Sequence, residues 1–141
     1  MPVLFLLLMG IIDYGLWFND SLSLRQGVRE SARQAVVRTL ATGCTGTGMA
    51  AVACGTRSQI ATPGTTAYAM VFAPNGWVRG QEVVVCGMVK ATSFTGFVPL
   101  PAGGLIQSKT SMSIENVTPM PTDLRYADTL PAGGNWSWCT A

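Results

Sequence analysis

Four cysteines and one isolated acid are the residues whose chemistry stands out first. Cys44, Cys54, Cys86 and Cys139 are even in number, and none stands in the C-x-x-C pairs that a four-thiolate zinc site usually shows. Two disulfides are therefore expected. Three pairings are open, and the preferred one joins Cys44 to Cys54 across a Gly/Thr-rich loop and Cys86 to Cys139, tying the tail to a strand. Disulfides persist outside the cytosol, which is where the bulk of the chain is expected. Asp13 is the only charge among the first 18 residues, 14 of which are apolar or aromatic. An ionised carboxylate in such a segment is expensive unless paired or hydrated. Asp13 is accordingly expected to act as an assembly charge, meeting the N-terminal amine or an arginine of a neighbouring subunit. A solvated position near lipid headgroups is the alternative.

Other chemistry is sparse. The absence of histidine removes the commonest general base and metal ligand together. The stretches GCTGTG and PAGG lack the lysine and the strand-to-helix context of a phosphate loop, and no G-x-S-x-G occurs. Glu82, Glu115, Asp123 and Asp128 have no spacing that suggests a glycosidase pair. The expectation is a non-enzyme with no catalytic residue, cofactor or metal. Its net charge of +2 is scattered, except for Arg25, Arg29 and Arg33 on one helix ridge, so no nucleic-acid partner is expected.

These residues must be positioned by a chain of 141 residues that is 48% apolar and only 11% charged, under half the usual charge of a soluble domain. Residues 3–18 form an apolar run that would reach about 24 Å as a helix, slightly short of a full membrane span. Val3, Leu4, Phe5, Leu6, Leu7, Leu8 and Met9, then Ile11, Ile12, Leu16 and Trp17, make it apolar on every side. A signal peptide would show a basic start and a small-residue cleavage site, and neither is present, so the segment is expected to be retained. Beyond this run no proline occurs until Pro63. Leu24, Val28, Ala32, Ala35, Val36 and Leu40 recur there at helical spacing and describe one stripe. The simplest reading is a single helix from about Val3 to about Thr42, roughly 60 Å long, stopped at Gly43. Gly10 and Gly15 would allow close helix approach in its first half.

The outer part, residues 44–141, is rich in Thr, Ser, Gly and Pro. One helical turn is expected at Met49–Ala53. Pro74, Asn75 and Gly76 between TTAYAMVFA and the stretch from Trp77 give a hairpin signal. QEVVVCGMVKATSF reads as the clearest strand, VPLPAGGL as a connection, and KTSMSIENV as a further strand with Met112 and Ile114 on its apolar face. Trp136 and Trp138 are expected to pack over the sheet, with a sticky recognition surface as the alternative. The expected architecture is α+β and pilin-like. One long N-terminal helix, residues 1–43, has an apolar part (1–18) and an amphipathic part (19–43) on which a small antiparallel sheet domain (44–141) packs.

The run MPVLFLLLMGIIDYG together with RQGVRESARQAV resembles the N-terminus of TadE-like and TadF-like pseudopilins, the pilin-like components of bacterial tight-adherence pili. The matching positions are Pro2, Leu4 to Leu8, Gly10, Ile11, Ile12, Asp13, Tyr14 and Gly15, then Arg29, Glu30, Ala32 and Arg33. VVVCGMVKATS and KTSMSIEN are loosely similar to the family's two late strands. Members usually carry several residues before the proline, including a glutamate and an aromatic near the prepilin-peptidase cut. Without that glutamate in this sequence, Asp13 is the only acid of the apolar half and Phe5 does not replace it; a start at an internal Met or processing elsewhere is expected. The resemblance implies a structural subunit, held in the inner membrane with the pilus assembly machinery. It would then polymerise through its apolar helix with copies of itself or other pilins into an extracellular filament. A membrane-anchored adhesion module that never polymerises is the alternative.

Overall fold

A computed structural model describes residues 1–118 and 120–141. Helix α1, Pro2–Val37, is uninterrupted for 36 residues, about 54 Å, and begins with proline in its first turn, where a missing N–H costs nothing. It ends earlier than Gly43. Arg38 takes the left-handed conformation (φ 60°, ψ 33°), and the N–H groups of Arg38 and Thr39 donate to the carbonyls of Ala35 (3.2 Å) and Gln34 (2.9 Å). This closes the helix as a glycine usually would. The side chain of Arg38 explains why a non-glycine is held there: it donates to the Thr47 carbonyl at 2.8 Å and lies 5.4 Å from the centroid of the Trp77 ring. Leu40, expected on the helix stripe, therefore sits past the helix end and packs half-buried on the core from the irregular segment that follows.

The expected single turn after Cys44 is a complete helix, α2, Met49–Ile60. Its N-terminal glycine supplies no side-chain cap; instead the Met49 N–H donates to Asp123 Oδ1 at 2.8 Å. Four strands complete the fold: β1 (Thr66–Phe72), β2 (Glu82–Lys90), β3 (Leu105–Ser113) and β4 (Arg125–Ala127). They form one antiparallel sheet in the order β3-β2-β1-β4. No strand starts at Trp77. That indole is buried, donates to the Asn116 carbonyl at 3.2 Å, and belongs to a broad connection in which Gly80 donates to the Ile114 carbonyl. β3 begins at Leu105, four residues before the expected strand, and its half-buried positions include Ser108, Thr110 and Met112.

Central strand β2 is buried continuously from Val83 to Val89, because both faces of the sheet are covered. Val83, Val85 and Val89 join a core with Leu24, Val28, Ala32, Ala35 and Val36 of α1 and with Val52 and Ile60 of α2. Val84 and Cys86 face the other way, meeting Met70, Cys139 and the half-buried Trp136 and Trp138 of the tail. Each fully buried aliphatic contributes about 1.5–3 kcal/mol. Gly87 lets α1 come close to the sheet, since a Cβ there would stand 2.6 Å from Val28 and 2.9 Å from Leu24. Gly27 does the same between the helices, where a Cβ would meet Ile60 at 2.6 Å and the Gln59 carbonyl at 2.8 Å. Disulfides join Cys44 to Cys54 and Cys86 to Cys139, 10 and 53 residues apart. On the chain-entropy account these add about 3 and about 4 kcal/mol.

Candidate functional site

The two halves of α1 present different surfaces. From Leu24 to Val36 the apolar residues at helical spacing are buried on the sheet and α2. Arg25, Arg29 and Arg33 stay exposed on the opposite ridge, with Arg33 paired to Glu30 at 2.8 Å. From Val3 to Phe18 nearly every large apolar side chain is exposed, from Val3 at 75% to Ile12 at 45%. Trp17 alone of the expected core-helix residues packs against the globular core, and Met9 is half-buried. Gly15 has no neighbour within 4 Å of a Cβ position, and Gly10 has only Val98 at 3.9 Å.

Asp13 interrupts this exposed half in a way its charge alone does not suggest. It is buried, and the groups facing it are not a cation but the loop between β2 and β3. Ser93 Oγ donates to Oδ2 at 2.9 Å, the N–H groups of Phe94 and Thr95 donate to Oδ1 at 2.9 and 3.1 Å, and Thr95 Oγ1 donates to Oδ2. A carboxylate accepting several donors from its own chain has its hydrogen-bonding demand met internally. Within the chain, the partners of Asp13 are therefore the hydroxyls and amides of this loop. Further along the helix, Asp20 accepts from Thr62 Oγ1 at 2.8 Å, which ties α1 to the connection between α2 and β1.

Two acids of the outer part, Asp123 and Asp128, serve the fold. Asp123 caps α2, at the helix end where a negative charge is favoured. Asp128 accepts from the Arg57 guanidinium and from the Ala69 N–H, so one side chain joins α2, β1 and the tail. That pairing holds the Arg57 guanidinium above its already high range. Trp136 donates to the Asp128 carbonyl at 2.9 Å, and its ring lies 5.8 Å from that of Trp138. The tryptophans thus pack on the sheet around the Cys86–Cys139 link. A cleft of about 320 Å³ lies between Leu16, Asp20, the 62–65 turn and Phe94, and the Asp20–Thr62 bond forms part of its wall. Among the described residues no three His, Cys, Asp or Glu side chains converge to hold a metal.

The site of interest is therefore a surface, an apolar half-helix carrying one internally bonded acid. Comparison with known families bears on this segment: the model of TadE-like proteins matches residues 1–33. The N-terminal segment is TadE-like. No curated protein and no solved structure matches the chain. The TadE-like segment takes in the whole exposed half of α1 and runs into the buried stripe as far as Arg33, while the sheet, both disulfides and the tail lie outside it. By length and composition α1 suffices to cross a membrane, with a mean hydropathy of 1.6 over its best window, only 6% of it buried. A TadE-like N-terminus on an apolar exposed helix, carried by an α+β pilin-like fold, is what sequence similarity and structure jointly support.

Proposed function

We propose that this chain is a structural pilin-like subunit. Residues 3–18 hold it in the inner membrane before assembly and then form the core of an extracellular filament, with copies of itself or related pilins as neighbours. Residues 19–43 join that core to the outer domain, residues 44–141, which covers the filament surface. The observation that carries this reading is the contrast within one helix: the distal half buries its stripe inside the chain, whereas the proximal half, Trp17 and Met9 apart, leaves its large apolar side chains exposed. Lipid and neighbouring helices are the two environments that satisfy such a surface, and assembly exchanges one for the other. Gly15 suits that exchange because it leaves room for a second helix, and the two disulfides suit an outer domain exposed to an oxidising environment.

The test is electron microscopy of fibres sheared from cells expressing the chain, with mass spectrometry of the subunit. Fibres containing this chain are expected, as is their loss in Gly15→Val while the variant still accumulates in the membrane. A Cβ at Gly15 meets nothing within its own chain, so loss of fibres there would report on neighbouring subunits. A wild-type chain found only as a membrane-bound monomer would overturn the reading.

A further inference from the structure

We propose that the loop between β2 and β3 is a second membrane contact of this chain, with Phe97 and Phe94 entering the bilayer interface beside α1. The inference rests on the membrane-inserted reading of residues 3–18. It starts from the side chains at the tip: Phe94 and Phe97 are 78% and 71% exposed, more than any large apolar residue of α1 except Val3. From Ala91 to Gly104 the loop contains no charged residue. It also lies along the apolar half of the helix. Phe94 shares a cleft wall with Leu16, and Val98 is the atom group nearest to Gly10, so the loop tracks α1 over about 9 Å toward its N-terminus.

The backbone of the tip explains why this is a lipid-facing loop and not merely a sticky one. Four successive amide N–H groups have side-chain acceptors. Those of Phe94 and Thr95 donate to Asp13, that of Gly96 donates to Ser93 Oγ at 2.8 Å, and that of Phe97 to Thr95 Oγ1 at 3.4 Å. In water such groups are satisfied by solvent at no cost. Near hydrocarbon an unpaired amide costs several kcal/mol, so irregular backbone is tolerated there only when its polar groups are matched within the protein. The helix marks the same level. Tyr14, Trp17 and Phe18 precede the polar run Asn19, Asp20 and Ser21, as aromatic residues do at a membrane boundary. Asp13 sits at this boundary and is the group that holds the loop there.

Full-length chain carrying the photocrosslinker benzoylphenylalanine in place of Phe97, Leu7 or Val78 is reconstituted in vesicles of phosphatidylethanolamine and phosphatidylglycerol and irradiated. Val78 is exposed in the β1–β2 connection, at the opposite end of β2 from the loop. Acyl-chain adducts are expected at Phe97 and Leu7 and their absence at Val78. Adducts at Leu7 but none at Phe97, or a Phe97 crosslink to a second copy instead of lipid, would overturn the loop contact and leave the membrane reading standing. Lipid adducts at neither position would overturn both. In Asp13→Ala the Phe97 adduct is expected to fall with the Leu7 adduct unchanged; equal Phe97 yield would remove Asp13 from the proposal.

Discussion

The first and second halves of α1 share one hydrogen-bonded rod and both are rich in apolar residues, yet only the second is buried by its own chain. The difference lies in pattern. Leu24, Val28, Ala32, Ala35 and Val36 occupy one stripe, which a sheet can cover from one side, and the opposite ridge carries arginines. Val3 to Leu8 is apolar all round, and no single partner surface can cover it. Hydrophobicity sets how much surface must leave water, while periodicity sets whether a small domain can do the covering. The glycines repeat the contrast: Gly27 is crowded by Ile60 and the Gln59 carbonyl, whereas Gly15 stands in open space.

The glycine pair gives the largest expected effect. Gly27→Val forces a branched side chain against the backbone of α2, and overpacking of this kind costs about 2–3 kcal/mol. For a chain of this size that corresponds to a fall in Tm of roughly 10 °C. Gly15→Val in the same detergent-solubilised protein should leave the Tm of the outer domain where it was. Thermal unfolding monitored by circular dichroism decides the matter: equal losses in both variants would mean that the proximal half also packs within the chain.

Much of this division is legible in the residues alone, and the exceptions share a cause. The long helix, strand β2 and the stripe from Leu24 are local patterns and each is present, but the helix stops at Val37, leaving Leu40 beyond it, and β2 ends at Lys90, so Ala91 to Phe94 of the expected strand lie in the loop on Asp13. The disulfide pairs are the preferred ones, Cys44–Cys54 closing a loop and Cys86–Cys139 tying the tail to a strand. Helix α2 is longer than its residues suggest because the Gly- and Thr-rich run CTGTG before it and the lack of a capping side chain read as a loop; its cap comes from Asp123, 74 residues downstream. The stop at Arg38 in place of Gly43 depends on Thr47 and on the Trp77 ring, neither visible in a helical pattern. Trp77 reads as the start of a strand until its indole is placed against the Asn116 carbonyl. The partner of Asp13 is the hardest to see. It consists of hydroxyls and amides 80–82 residues away, in a loop with no charge to announce it. Only the Ser and Thr enrichment of 92–95 hints at donors.

Asp13 also joins the proximal half to the outer part by more than helix backbone, and its removal should have a smaller, local effect. Asp13→Ala leaves the amides of Phe94 and Thr95 and the hydroxyls of Ser93 and Thr95 without their acceptor. The loop should open while the sheet and the stripe from Leu24 stay intact. Hydrogen exchange at Phe94 and Thr95 is expected to accelerate on the order of tenfold or more, with exchange in β2 unchanged. Asp13→Asn, which keeps one carbonyl oxygen, should fall between the alanine variant and the native chain. Acceleration spread through β2 would mean that the loop and the core open as one unit, and that the boundary between the halves lies nearer the N-terminus than Asp13.

The smallest effect concerns the polar ridge of the distal half, and its sign is set by the pairing there. Arg33 donates to both oxygens of Glu30, at 2.9 and 2.8 Å, and Gln34 donates to one of them at 3.0 Å. These bonds, led by the guanidinium, hold the Glu30 carboxyl below its usual range and keep Arg33 above its own. A depressed carboxyl contributes stability in full above its unfolded-state value and loses it as pH falls through the lower, folded-state value. Acidification from neutral pH to below the ordinary glutamate range should therefore lower Tm slightly. The Glu30→Gln variant should lack that component while starting from a slightly lower Tm at neutral pH. Arg33 is largely exposed and Glu30 partly so, so the effect should shrink further at high salt and stay well below that of Gly27→Val. A Glu30→Gln titration parallel to that of the native chain at every pH would show that the arginine ridge stands free of Glu30 in solution, all its charge then available to whatever approaches that face.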